Sequence, residues 1–130
     1  MAKREKAVLT KLELQIMQVI WKRGASTVTA VQEGLEQDLA YTTVQTMLNI
    51  LHRKGKVKRK LKERAFLYQP VLSRQKAVTQ AVGDMLDRFF GGSADSLVLN
   101  LVETRHLTPE KLAQIQELLA RPREEQHRND

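Results

Sequence analysis

Cysteine is absent from this 130-residue chain, which excludes disulfides and thiolate metal sites. Aromatic residues are scarce, six in all, so any core must be built mainly from aliphatic side chains. No apolar run approaches the ~20 residues that a membrane-crossing helix needs. The start, MAKREKAVLTKLELQIMQVI, places basic residues ahead of apolar ones, as a secretory signal would, but Lys11, Glu13 and Gln15 break the run at helical spacing. No membrane insertion is expected, and the expected location is cytoplasmic. Catalytic machinery is missing too. There is no glycine-rich phosphate loop, no nucleophile with a matched base and no convergent acid pair; Asp84 and Asp87 stand one helical turn apart. An enzyme is therefore not expected. His52, His106 and His127 are far apart and lack metal-ligand spacing, so neither a metal nor any other cofactor is expected.

What is present is positive charge, unevenly placed. Residues 1–72 hold 14 basic and 6 acidic side chains; residues 73–130 hold 8 and 9. The stretch 53–64, RKGKVKRKLKER, has eight basic residues and one acid, a net +7 that equals the charge of the whole chain. Such asymmetry points to a front half that meets a polyanion, either nucleic acid or an anionic membrane. The length allows one domain, or one small domain with an appendage.

Periodicity supplies the elements. Thr10 and Glu13 form a capping box, Leu9 and Leu14 fit a hydrophobic staple, and Leu12, Ile16, Val19 and Ile20 form a stripe. This predicts a first helix over 10–23, stopped by Gly24, with Met17 and Trp21 widening its buried face. Residues 25–27 suit a short strand, and Thr27 a cap for a second helix over 28–36 that buries Val28, Val31 and Leu35. In TTVQTMLNILHRK, Val44, Met47, Leu48 and Leu51 form a core stripe. The opposite face is Thr42, Gln45, Thr46, Asn49, His52 and Arg53, with no acid. A hairpin follows: Val57, Arg59 and Leu61 alternate with Lys58, Lys60 and Lys62, residues 62–64 turn, and AFLYQ returns until Pro70 stops it. Three further helices are predicted, over about 73–90, 94–104 and from Thr108-Pro109-Glu110 onward.

This order gives a fold class: mainly α with a small β-wing. A winged helix-turn-helix DNA-binding domain is expected over 1–72, a helical dimerisation domain over 73–120, and a polar tail over 121–130. Double-stranded operator DNA is the expected partner. Thr42, Thr43, Gln45, Thr46 and Asn49 stand where a recognition helix meets base edges, and Gln or Asn can pair bidentately with adenine. Arg53 is better placed for phosphate, and Lys58, Lys60, Lys62 and Arg64 would line the backbone or dip into the minor groove. The dimer stripes are Val82, Met85, Leu86, Phe89 and Phe90; Leu97, Val98, Leu101 and Val102; and Leu112, Ile115, Leu118 and Leu119. Three function classes remain open on the residues alone: a sequence-specific homodimeric repressor, a non-specific architectural DNA binder, and a ligand-sensing winged-helix or membrane-surface protein. The basic residues lie mostly on the hairpin rather than on one helix face, which disfavours a membrane role.

Four segments, LTKLELQIMQVIWKRG, AYTTVQTMLNILHRKGKVKR, AFLYQPVLSR and FFGGSADSLVLNLVE, give the chain a resemblance to the penicillinase and methicillin-resistance repressors over almost its whole length. The resemblance implies a dimeric winged-helix repressor on palindromic operators, with Thr43, Gln45 and Thr46 as base readers. Some members carry arginine at the position of Gln45. A copper-responsive branch ends in paired cysteines, which this chain lacks. The resemblance also implies a membrane-bound sensor protease that ends repression by cutting Asn100–Leu101, where the best-known members have phenylalanine after the asparagine.

Overall fold

The computed structural model describes residues 9–121. They form α1 (Lys11–Arg23), α2 (Val28–Gly34), α3 (Tyr41–Arg53), β1 (Val57–Lys62), β2 (Ala65–Pro70), α4 (Arg74–Phe89), α5 (Ala94–Glu103) and α6 (Pro109–Ala120). The chain divides into two compact units between Asp84 and Met85, inside α4. The tail expected over 121–130 lies, beyond Arg121, outside the described residues, as does His127.

The first unit is a winged helix. Helix α1 starts as the capping box predicts: the Glu13 N–H donates to the Thr10 hydroxyl and the Thr10 N–H donates to Glu13 Oε1 at 2.8 Å. It ends at Gly24, whose φ of 85° suits glycine. The staple partners separate: Leu9 packs against the core while Leu14 is exposed. Helix α2 is shorter than predicted. It closes at Gly34, where an added Cβ would stand 2.7 Å from Val19 Cγ1, so the glycine permits a close approach of α2 to α1.

The hairpin pairs Val57 with Pro70 through to Lys62 with Ala65, so Pro70 closes the ladder instead of lying outside it. Glu63 and Arg64 have φ of 50° and 75°, the two positive values of a type I′ turn. The strand expected at 25–27 is one bridge: Ser26 and Tyr68 exchange both backbone hydrogen bonds, at 3.0 and 2.8 Å. Ile16, Met17, Ile20, Val31, Val44, Leu48 and Leu51 are fully buried and, with Val57 and Tyr68, make an aliphatic core capped by one tyrosine. That core continues past the wing. Leu72 is buried in it, Ala77 packs against it, and Trp21 Nε1–H donates to the Leu72 carbonyl at 2.9 Å.

Beyond the wing the chain is helical, and none of α4, α5 and α6 contains a buried residue. Ser93 and Thr108 cap α5 and α6 through their hydroxyls, and Pro109 opens α6. Gly91 and Gly92, with φ of 56° and 82°, make the turn after α4.

Candidate nucleic-acid interface

Helix α3 buries Val44, Leu48 and Leu51 and half-buries Met47, which leaves its other face outward. Thr42, Thr43, Gln45, Thr46, Asn49 and Arg53 are all exposed, and the helix has no Asp or Glu. Its start is bare. Ala40 occupies the N-cap without a side-chain hydrogen bond, and no acid lies in the first turn. The donors and positive dipole end of that turn therefore remain available to an anion. The turn leading into it is braced by Gln32, whose amide donates to the Leu39 carbonyl at 2.8 Å.

The wing stands beside this face. A groove of about 680 Å³ runs between α3 and the hairpin, with Gln45, Thr46, Asn49 and Arg53 on one wall and Arg59 and Phe66 on the other. Lys58, Lys60, Lys62 and Arg64 are exposed on the wing, so the structure brings these cations and the α3 polar face onto one unit. The alternation of β1 holds at its base, where Val57 is buried, and fails at its tip, where Leu61 is 64% exposed.

Two basic residues have internal roles that periodicity did not reveal. Lys54 Nζ lies 2.8 Å from Glu13 Oε2, and Glu13 is only 1% exposed. Burial raises the Glu13 pKa, but the Lys54 hydrogen bond, the Thr10 backbone bond and the Lys54 charge outweigh it, and the carboxyl titrates below its ordinary value. One of the eight charges in the basic stretch thus holds the start of α1 to the end of α3. Arg59 is the second: its Nη1 donates to Asn49 Oδ1 at 3.0 Å and its guanidinium lies 4.4 Å from the Phe66 ring centroid. A lysine-rich hairpin hides such a role, because the strand pattern marks Arg59 only as inward-facing.

A family model described as Penicillinase repressor matches residues 9–121. The chain belongs to the penicillinase repressor family. Within this family it is similar to the "Penicillinase repressor" of Bacillus licheniformis, 29% identical over 123 residues that cover 93% of this chain and 92% of that one. It is also similar to the "Transcriptional regulator BlaI" of Mycobacterium tuberculosis, 36% identical over 73% of this chain and 72% of the relative. Among solved structures, the YusO protein from Bacillus subtilis shares the fold with a TM-score of 0.52 at 17% identity, covering 87% of this chain and 79% of that one.

For this member of the penicillinase repressor family, the residues expected to form the dimer are apolar and unburied. Val82, Phe89, Val98, Val102, Leu112, Ile115, Leu118 and Leu119 are exposed, and Met85, Leu86, Phe90, Leu97 and Leu101 are half-buried. Asn100 is exposed in the middle of α5, and its carbonyl accepts from the Thr104 hydroxyl at 2.7 Å. Among the described residues no helix is long and apolar enough to cross a membrane, and no cluster of side chains is arranged to hold a metal.

Proposed function

We propose that this chain is a sequence-specific transcriptional repressor that binds operator DNA as a cytoplasmic homodimer and catalyses nothing. The observation that carries the reading is the acid-free, exposed face of α3 beside a cationic wing, in a chain whose relatives are named as repressors. In this reading α3 enters the major groove. Gln45 and Thr46 meet base edges, as do Thr42, Thr43 and Asn49, and Arg53 holds a phosphate. Lys58, Lys60, Lys62 and Arg64 follow the backbone of the same half-site. Residues 1–72 carry the DNA contacts and residues 73–120 the dimer, so two α3 helices face two half-sites about one helical turn apart.

Induction follows from the same layout. A membrane-bound sensor protease cuts Asn100–Leu101, which removes α6 and splits the apolar stripe of α5. The dimer weakens, and operator affinity falls because two half-sites no longer share one molecule. The bond lies within a helix, so α5 opens locally before it is cut.

Affinity for a selected palindromic duplex and for random duplex, each measured across a salt series, tests the core of this reading. Specific binding about 10³-fold or more above random is expected. Replacing Lys58, Lys60 and Lys62 with Ala should flatten the slope of log K against log salt by about one unit for each phosphate that is no longer neutralised, leaving sequence preference intact. Equal affinity for both duplexes would identify an architectural binder instead.

A further inference from the structure

We infer that Arg59 is a positioning residue that holds the Asn49 side-chain amide in one orientation, amino group outward, so that Asn49 meets DNA as a hydrogen-bond donor. The inference rests on the reading of α3 and the wing as a DNA interface. A guanidinium has only donors, so the atom that Asn49 turns toward it must be the carbonyl oxygen. Arg59 Nη1 makes that bond at 3.0 Å. The reverse orientation would set N–H against N–H.

Arg59 is itself fixed. It is half-buried in β1, and its guanidinium lies over Phe66 at 4.4 Å. The Phe66 ring in turn meets Tyr68 edge-on, with centroids 6.3 Å apart, and Tyr68 is 2% exposed in the core. A chain of contacts thus runs from the core to the polar face of α3, with Asn49 and Arg59 ten positions apart in sequence.

This alters which bases Asn49 accepts. Bidentate recognition of adenine needs the amide oxygen to receive the adenine N6 hydrogens. Here Arg59 takes one lone pair of that oxygen and sets a cation beside the place of those hydrogens, which opposes the bidentate pairing. Asn49 is left to donate to hydrogen-bond acceptors on DNA: guanine O6 and N7, adenine N7, thymine O4, or a phosphate oxygen. Gln45, one turn earlier, makes no side-chain hydrogen bond to the described residues and keeps both ends of its amide available.

The test uses full-length protein and a pool of random-sequence duplexes, from which each variant selects its own preferred sites. Wild type, Asn49→Ala, Arg59→Met, Arg59→Lys and the Asn49→Ala/Arg59→Met double variant are compared, with thermal melts to show that each is folded. The Arg59→Met cost in affinity should be at least about threefold larger when Asn49 is present than when it is Ala. If the acceptor is a base, the column that loses preference in Asn49→Ala should shift toward adenine in Arg59→Met, where the bidentate pairing becomes open, and coupling should appear on the selected site only. If it is a phosphate, coupling should be equal on selected and random duplex. Arg59→Lys keeps the charge but loses the planar guanidinium and its seat on Phe66, so its profile should fall between wild type and Arg59→Met. Additive effects of Asn49→Ala and Arg59→Met on both duplexes would overturn the inference. A wild type that selects no sequence would instead sink the repressor reading, and the coupling on random duplex would still decide the orientation of Asn49.

Discussion

Single side chains decide how firmly the α3 face is held. Glu13 is buried, accepts from the Thr10 backbone and pairs with Lys54, so it connects the first turn of α1 to the C-cap of α3. Its carboxyl is held below its ordinary value near 4.5. A depressed carboxylate pKa contributes stability that is fully present above the unfolded value and is lost as pH falls through the folded one. Urea midpoints should therefore fall as pH drops below about 4.5, and Glu13→Gln should remove part of that acid dependence. An unchanged pH profile in the variant would place the acid sensitivity elsewhere. Lys54 is 30% exposed, so its loss is tempered by water. Gly34 offers a second test. Alanine is the better helix former by about 1 kcal/mol, yet its Cβ would stand 2.7 Å from a methyl of Val19. Val19 is buried and β-branched, with little freedom to turn away. Gly34→Ala should thus destabilise the protein, by about 1–2 kcal/mol in urea unfolding; a stabilised variant would mean that α1 and α2 can separate at no cost. Neither effect was legible in the sequence. Glu13 reads there as half of a capping box and Gly34 as a weak point in a helix, because the partners that define them are remote in the chain.

At the scale of the element, α3 and the wing depart from locally favoured chemistry. α1, α2, α5 and α6 begin with threonine or serine caps, whereas α3 begins with Ala40. Ala40→Asp should stabilise α3 by about 0.5–2 kcal/mol, seen as a higher melting temperature. It should also weaken binding to operator and random duplex alike, because the new carboxylate takes the first-turn donors and repels phosphate. Tighter or unchanged DNA binding would show that the α3 start does not face the backbone. The hairpin was readable as alternating lysines around a turn at residues 62–64. Its turn type was not, since Glu63 and Arg64 hold positive φ without glycine or asparagine. Alternation also misled at the wing tip, where Leu61 is largely exposed.

For the whole molecule, the decisive feature is the apolar surface that α4, α5 and α6 leave exposed among the described residues. Phe89 is 73% exposed and Leu119 75%, and α4, α5 and α6 contribute no buried residue. Patches of this kind mark interaction sites in soluble proteins. On the homodimer reading, Leu119→Glu should leave helicity unchanged, because the side chain is largely exposed. It should raise the dimer dissociation constant about 10- to 100-fold, the equivalent of roughly 1.5–3 kcal/mol for one buried leucine. Sedimentation velocity across a concentration series measures this, and a wild type that stays monomeric would remove the basis for the dimer. Operator affinity should fall with the dimer while half-site affinity is kept.

The winged-helix class and the order of its elements followed from the sequence itself, because caps, helical stripes, strand alternation and glycine stops act within a few residues of one another. The family was legible for the same reason, in short segments that stand unbroken in the chain. Tertiary structure alone decided where the basic charges go. Lys54 turns inward to Glu13, Arg59 lies between Asn49 and Phe66, and Lys58, Lys60, Lys62 and Arg64 are left outward. It also decided that the first core extends through Leu72 to Ala77, beyond the wing. Charge and hydropathy assign a residue a chemical character. Which neighbour meets that character is set by the folding of α1, α3 and the hairpin onto one core, and those contacts span tens of residues that no local pattern encodes.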